Sequence, residues 1–172
     1  MSEVLILGVD PGLRVTGYGL IRVAGREISL VEAGVIRSDD SAPLGERLRT
    51  IHEEFRHVLG DLSPDVIALE ELYSHYKHPS TAILMGHARG VIVLCSALEG
   101  KQLITYSPTR VKSAVVGNGH ASKEQVQKMV KASLGLSAVP EPPDVADALA
   151  LALCHANELQ HPASSARGRR GK

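Results

Sequence analysis

Short apolar runs that end in acids or turn residues recur along the first two thirds of the chain. VLILGVD ends at Asp10, DVIALEE ends at a pair of glutamates, and QLITY is a shorter run of the same kind. Such runs, bounded by turn signals, are typical of buried strands. VTGYGLIRV and EISLVEAGVIR predict two more strands around a turn at Ala24-Gly25.

Other segments repeat their apolar positions with the period of a helix. In residues 43–62, for example, Leu44, Leu48, Ile51 and Phe55 share one face. The same reasoning predicts five helices, at 43–62, 79–98, 108–116, 123–134 and 144–159. Three strands followed by alternating strands and helices predict an α/β fold, a mixed five-stranded sheet flanked by helices.

Length and composition favour one domain with an aliphatic core. The chain has 172 residues, of which 44% are apolar and 22% charged, with no Trp and one Phe. We expect one domain over residues 1–160. The segment 161–172 is small, polar and basic, and we expect it to be a flexible tail.

Three features predict a cytoplasmic location. The longest apolar run, at 91–98, is too short to span a membrane. Glu3 stands where a signal peptide would carry positive charge. Cys95 and Cys154 lie in apolar helical patterns, which favours buried free thiols in a reducing compartment.

Charge is balanced in total but not in distribution. Residues 1–76 carry 7 Lys/Arg against 13 Asp/Glu, whereas residues 77–172 carry 12 against 6. Six basic residues and one acid lie between Lys101 and Lys131. Such a basic segment is typical of a surface for an anionic partner, with an ordinary solvated helix face as the alternative.

The last predicted helix begins with two aspartates, Asp144 and Asp147. Positions three apart share one helix face, about 5–6 Å apart at Cβ, so two carboxylates there repel each other unless a positive charge intervenes. Capping of the helix start is the alternative, because Asp accepts hydrogen bonds from free N–H groups at a helix N-terminus.

Two more acids end apolar strands. Asp10 follows VLILGV and Glu70 follows VIAL, while Glu71 points to the opposite face of the sheet because strand side chains alternate. Asp before Pro-Gly is also common in turns. Strand ends meet at one edge of a sheet, so we expect both acids there.

If these four acids converge, their ionised carboxylates repel one another, which costs folding free energy unless a cation lies between them. Oxygen-only ligands select hard ions such as Mg²⁺ or Mn²⁺, and no His/Cys cluster has zinc spacing. Two such ions about 3.5–4 Å apart are a standard device for attack on phosphates. The sequence therefore suggests metal-dependent hydrolysis of a phosphate ester.

Taken together, the motifs resemble the RuvC-type Holliday junction resolvases, in order and in spacing, over nearly the whole chain. They are GVDPGLRVTGYGLI, ALEELY, GHARGV, VKSAVVGNGHASKEQVQ and DVADALALA. The resemblance implies a ribonuclease H-like fold, a homodimer and Mg²⁺-dependent cleavage of two like-polarity strands of a four-way DNA junction. It implies two ions per site, with Mn²⁺ as a substitute, and partnership with the branch-migration proteins RuvA and RuvB.

The resemblance also suggests residue roles. Its catalytic, metal-binding acids are Asp10, Glu70, Asp144 and Asp147. Its DNA contacts are Lys112, Lys123, Tyr73 and, less directly, Arg14. Tyr73 stands where the family usually has Phe, and stacking on an unpaired base is worth about 1–3 kcal/mol. Alternatively, the two lysines and Arg14 are ordinary surface charges, and Tyr73 packs on Tyr76 in its own loop.

The helix at 79–98, with its GHARG motif, would form the two-fold interface by the same resemblance, and its alternative is packing on its own sheet. Three rival functions remain. One is a phosphotransferase of the actin and sugar-kinase class, which needs a second lobe that this short chain lacks. Another is a non-catalytic junction-binding module, and the third is a ribonuclease H-like nuclease with a different nucleic-acid substrate.

Overall fold

All ten predicted elements are present in the computed structural model, which describes residues 3–72 and 79–161, and their bounds differ from prediction by at most a residue. The proposed tail, apart from His161, lies outside the described residues. In chain order the elements are β1 (Glu3–Asp10), β2 (Val15–Ala24), β3 (Glu27–Arg37), α1 (Leu44–Leu62), β4 (Val66–Glu70), α2 (Pro79–Leu98), β5 (Gln102–Tyr106), α3 (Pro108–Val116), α4 (Lys123–Ser133) and α5 (Pro143–Gln160).

The strands form one mixed sheet in the order β3-β2-β1-β4-β5. The first three strands pair antiparallel, and β1, β4 and β5 run parallel to one another. The predicted mixed five-stranded sheet is therefore confirmed. Because β1 and β4 are parallel neighbours, their carboxyl ends lie side by side at the same edge.

Side-chain alternation divides the core into two layers. From β1, Ile6 packs in the layer that holds α3, α4 and α5. Leu7 and Val9 pack in the layer of α1 and α2 on the other face. Asp10 has the same parity as Ile6, so it lies on the face covered by α5. Cys95 and Cys154 are buried free thiols, as predicted.

Helix α2 has two different faces. Ala88, Ile92 and Cys95 are fully buried against the rest of the protein. Other apolar side chains are exposed, with Ile83 at 63% and Leu94 at 56%. Helix α2 therefore packs on the protein along one face and leaves apolar side chains exposed on the other.

Helix α2 also corrects an expectation about apolar length. By length and composition it is the one helix of the described residues that could cross a membrane, with a mean hydropathy of 1.6 over Ser80–Leu98 and 22% of that stretch buried. The run at 91–98 is only the last part of this stretch. Arg89 and His87 separate it from apolar residues that continue toward the start of the helix.

Candidate active site

Two strand-end acids lie at one edge of the sheet. Asp10 ends β1 and Glu70 ends β4, and the last parallel pair before them is Val9 with Leu69. Both side chains are half-buried. The expected convergence of strand-end acids is therefore what the topology produces.

Helix α5 brings the other two acids over the same edge. A Cβ at Gly8 would overlap the carbonyl oxygen of Ala148, and one at Gly17 would overlap that of Asp144. These two glycines let the helix backbone lie directly on β1 and β2. Gly17 is also the cross-strand partner of Asp10, so its close contact with α5 places Asp144 near Asp10.

Capping does not account for the aspartate pair. The N-cap of α5 is Pro142, and it makes no side-chain capping hydrogen bond. Pro143 occupies the first turn, where its missing N–H costs nothing. Asp144 lies in that turn but close to Asp10, and Asp147 follows on the same face.

A cavity of about 240 Å³ lies where the acids meet. Asp10, Glu70 and Asp147 line it together with Lys112 and Lys123. The remaining walls come from α3, α4 and α5 and are mostly apolar: Pro108, Val126 and Leu151. Carboxylates and ammonium groups thus share one small space at the rim of the core.

Burial and the neighbouring carboxylates raise the pKa of both strand-end acids. Burial, followed by the charges of Asp147, Glu70 and Asp144, raises the pKa of Asp10 to about 7, against a smaller opposing effect of Lys123. Burial and then Asp147 also raise the pKa of Glu70, which the two lysines partly offset. Asp144 does not line the cavity, but its charge reaches Asp10.

Lys123 holds Asp147 directly. Its Nζ lies 2.7 Å from Oδ2 of Asp147, while 60% of the lysine side chain remains exposed. The hydrogen bond from Lys123 to Asp147 is the main reason that the pKa of Lys123 is raised. Lys123 is a cation between the carboxylates and the solvent.

The loop before Lys123 fixes that position. Gly117 ends α3 in the left-handed conformation, with φ of 83°. Ser122 then caps α4 in a reciprocal capping box with Gln125, so Lys123 is the first residue of the helix. The GNGHAS segment therefore serves to start α4 beside the acids.

Of the predicted DNA contacts, Arg14 does not line the cavity. The side chain of Arg14 is 79% exposed and its Nε pairs with Asp40 at 2.8 Å. Tyr73 and Tyr76 lie outside the described residues. The roles of Arg14 and Tyr73 stay predictions.

The donor set fits a hard divalent cation. The ligands on offer are carboxylate oxygens. The pKa of Asp10 is raised first by burial and then by the neighbouring carboxylates, whose repulsion a cation would relieve. As the side chains stand, no three His, Cys, Asp or Glu residues of the described part surround a common point. Oδ2 of Asp147 is instead paired with Nζ of Lys123.

Gly8 and Gly17 were missed by the sequence reasoning. A signal for them does exist, because Gly8 and Asp10 share one strand face at period two. A glycine two residues before a strand-end acid indicates that something packs closely on that face. What packs there depends on the placement of α5, which no local pattern specifies.

Similarity to known proteins identifies the family. The family model described as "Crossover junction endodeoxyribonuclease RuvC" matches residues 6–155. The chain belongs to the RuvC family. A crossover junction endodeoxyribonuclease RuvC from Rhodopirellula baltica is 54% identical over 153 residues, which are 89% of this chain and 86% of that protein. One from Alkaliphilus oremlandii is 46% identical over 153 residues, 89% of this chain and 93% of that protein.

Solved structures agree with the RuvC assignment. Thermus thermophilus RuvC in complex with a Holliday junction substrate has a TM-score of 0.85 and 35% identity, covering 91% of this chain and 95% of that chain. The yeast mitochondrial Holliday junction resolvase Ydc2 has a TM-score of 0.65 at 16% identity, covering 88% and 77%, and shares the fold.

Membership of the RuvC family confirms two predictions. The ribonuclease H-like fold is confirmed, and so is the activity, that of an endodeoxyribonuclease acting at crossover junctions. Dependence on a divalent metal is general in this nuclease family. The kinase-like and the non-catalytic alternatives are thereby excluded.

Proposed function

We propose that this chain resolves four-way (Holliday) DNA junctions by symmetric hydrolysis of two strands of like polarity, in DNA recombination and repair. The observation that carries the proposal is the cavity where Asp10, Glu70 and Asp147 meet Lys112 and Lys123 in a RuvC-family chain. Likeness to the T. thermophilus RuvC solved with a Holliday junction substrate supports the choice of DNA.

The four acids would hold two Mg²⁺ ions, for which Mn²⁺ would substitute, because oxygen-only ligands select hard cations. When bound, such a pair supplies an activated water and stabilises the leaving 3′ oxygen. The protein's own part is to hold Asp10, Glu70, Asp144 and Asp147 at the rim of a core, which the glycine contacts under α5 support. No protein nucleophile is required.

Lys112 and Lys123 would contact the phosphates on either side of the cleaved bond. Both face the acids, and Lys123 is exposed enough to turn from Asp147 toward a phosphate. Arg14, just past Asp10, would extend the contact along the backbone. Tyr73, three residues past Glu70, would stack on a base unpaired at the crossover.

The working form would be a homodimer built on α2. Ile83, Leu94 and Leu98 expose 63%, 56% and 68% of their surfaces on this helix, and Leu72 adds 40% just after β4. A two-fold dimer presents the same patch twice, and it suits a two-fold junction that is cut symmetrically. A second copy of this chain is therefore the occupant that we propose for this face.

We further propose the context that the family resemblance implies. The nuclease domain would comprise residues 1–160, with 161–172 as a flexible basic tail. The protein would act in the cytoplasm and cooperate with the RuvA and RuvB branch-migration complex.

The proposal is tested by incubating the purified protein with a synthetic four-way junction, with and without Mg²⁺, and mapping nicks on all four strands. We expect paired nicks at symmetric positions in two like-polarity strands, only with metal. Linear duplex DNA and an RNA–DNA hybrid of the same sequence are the controls. Equal or better cleavage of either control would favour a ribonuclease H-like nuclease with another substrate.

A further inference from the structure

Arg89 makes a hydrogen bond to the backbone of a proposed metal ligand. Its Nε donates to the carbonyl oxygen of Glu70 at 3.0 Å, from α2 to the end of β4. The arginine is half-buried. A hydrogen bond from a charged donor is roughly twice as strong as one between neutral groups. The contact therefore holds two elements together at the site.

The peptide group between Glu70 and Glu71 is held on both sides. The N–H of Glu71 donates to the carbonyl oxygen of Tyr106 in β5 at 2.9 Å. The carbonyl of Glu70, which points the opposite way in a trans peptide, accepts from Arg89. Strand β5 and helix α2 together fix the plane of the peptide that follows the Glu70 side chain.

The neighbouring strand cannot supply the donor that Arg89 provides. The carbonyl of Glu70 points away from β5, toward the side of β4 on which β1 lies. The pairing of β1 with β4 ends at Val9 and Leu69. Asp10 is followed by Pro11, which has no N–H. Pro11, Glu70 and Arg89 line the same small cavity. Arg89 thus takes the place of a missing strand donor.

We infer that Arg89 is a positioning residue for Glu70. By fixing the peptide after Glu70 it fixes the direction in which that carboxylate leaves β4, and it ties α2 to the metal-binding acids. The inference rests on the proposed function, because Glu70 is a metal ligand only there. Partners that orient a metal ligand are typically worth about 10- to 100-fold in metal affinity or activity.

The test compares Mn²⁺ binding in Arg89→Met, Arg89→Lys and wild-type protein, by electron paramagnetic resonance without DNA. We expect Arg89→Met to bind Mn²⁺ about tenfold more weakly or worse, and to need correspondingly more metal for half-maximal junction cleavage. Arg89→Lys should recover part of both, because an ammonium group still donates. Arg56→Met is the matched control, since that arginine is exposed and pairs with Glu99 at 3.1 Å.

Wild-type Mn²⁺ affinity and metal dependence in folded Arg89→Met would overturn the inference. Should Arg89→Met not fold, Arg89→Lys decides the matter: weaker Mn²⁺ binding supports the positioning role, and unchanged binding overturns it. A wild-type protein that leaves junctions uncut would instead sink the proposed function. The Mn²⁺ titration needs no DNA, so the two failures are distinguishable.

Discussion

Gly17 in β2 lies so close to the carbonyl oxygen of Asp144 in α5 that a methyl group would overlap it. The contact is with backbone, which cannot swing aside as a flexible side chain would. Gly17 therefore sets the height of the first turn of α5 above the sheet. The position of Asp144 depends on this spacing.

We expect Gly17→Ala to displace the start of α5. Overpacking of this kind costs about 1–3 kcal/mol of folding free energy, and a shift of about 1 Å at a reacting group costs on the order of 100-fold in rate. The measurements are urea unfolding and junction cleavage at saturating Mg²⁺. Gly60→Ala is the control, because nothing lies within 4 Å of a Cβ at that position in α1. Wild-type cleavage by Gly17→Ala would show that α5 tolerates the shift.

Asp147→Asn should abolish cleavage while junction binding stays within a few-fold of wild type. The change keeps the size of the side chain but removes a metal-ligand charge, and it also releases Lys123 from its 2.7 Å ion pair. Binding is measured in Ca²⁺ and cleavage in Mg²⁺. Glu124→Gln, which alters an exposed acid paired with Lys128 at 3.0 Å, should cut normally. Near wild-type cutting by Asp147→Asn over a range of Mg²⁺ would remove this acid from the site.

The pKa of Asp10, raised to about 7, predicts the sign of a pH effect. Between about pH 4 and 7 the folded metal-free protein keeps a proton that the unfolded chain has lost, so this group's contribution to stability falls as pH rises. Asp10→Asn should therefore stabilise the metal-free protein more at pH 8 than at pH 5, by on the order of 1–3 kcal/mol. Thermal unfolding in EDTA at both pH values measures it, and an equal effect at both would contradict the predicted titration.

Sequence patterns were sufficient to predict the strands and helices and the edge of the sheet at which the acids meet. Strand-end acids could be placed because parallel strands bring their carboxyl ends together, whatever the side chains between them. The i, i+3 spacing placed Asp144 and Asp147 on one helix face for the same geometric reason. These inferences need only periodicity and chain direction.

What could not be predicted depends on how separate elements approach each other. The pairing of Lys123 with Asp147 needs the placement of α4 beside α5, and the hydrogen bond from Arg89 to Glu70 needs that of α2 beside β4. The close contact of Gly17 with α5 likewise spans residues far apart in sequence. None of these contacts leaves a local periodic signal.

Junction binding should weaken steeply with salt even though the chain has zero net charge. Counterion release gives a log–log slope of about −0.9 per phosphate neutralised. Lys112→Ala and Lys123→Ala should each make the slope shallower by roughly one, since both line the cavity of the acids. Lys101→Ala is the control, because Lys101 precedes β5 and lies at the opposite edge of the sheet. Slopes unchanged by the first two substitutions would place these lysines away from the DNA.

Leu94→Glu should break the proposed dimer. Its side chain is 56% exposed on α2, beside other exposed apolar groups, so a charge there would be buried and unpaired in a two-fold interface. Sedimentation should show a monomer at concentrations where the wild type is dimeric, and junction cutting should lose its paired, symmetric pattern. Leu159→Glu, at a leucine 46% exposed near the end of α5, should remain dimeric. A monomeric wild type, or a dimeric Leu94→Glu, would mean that this face of α2 does not join two copies.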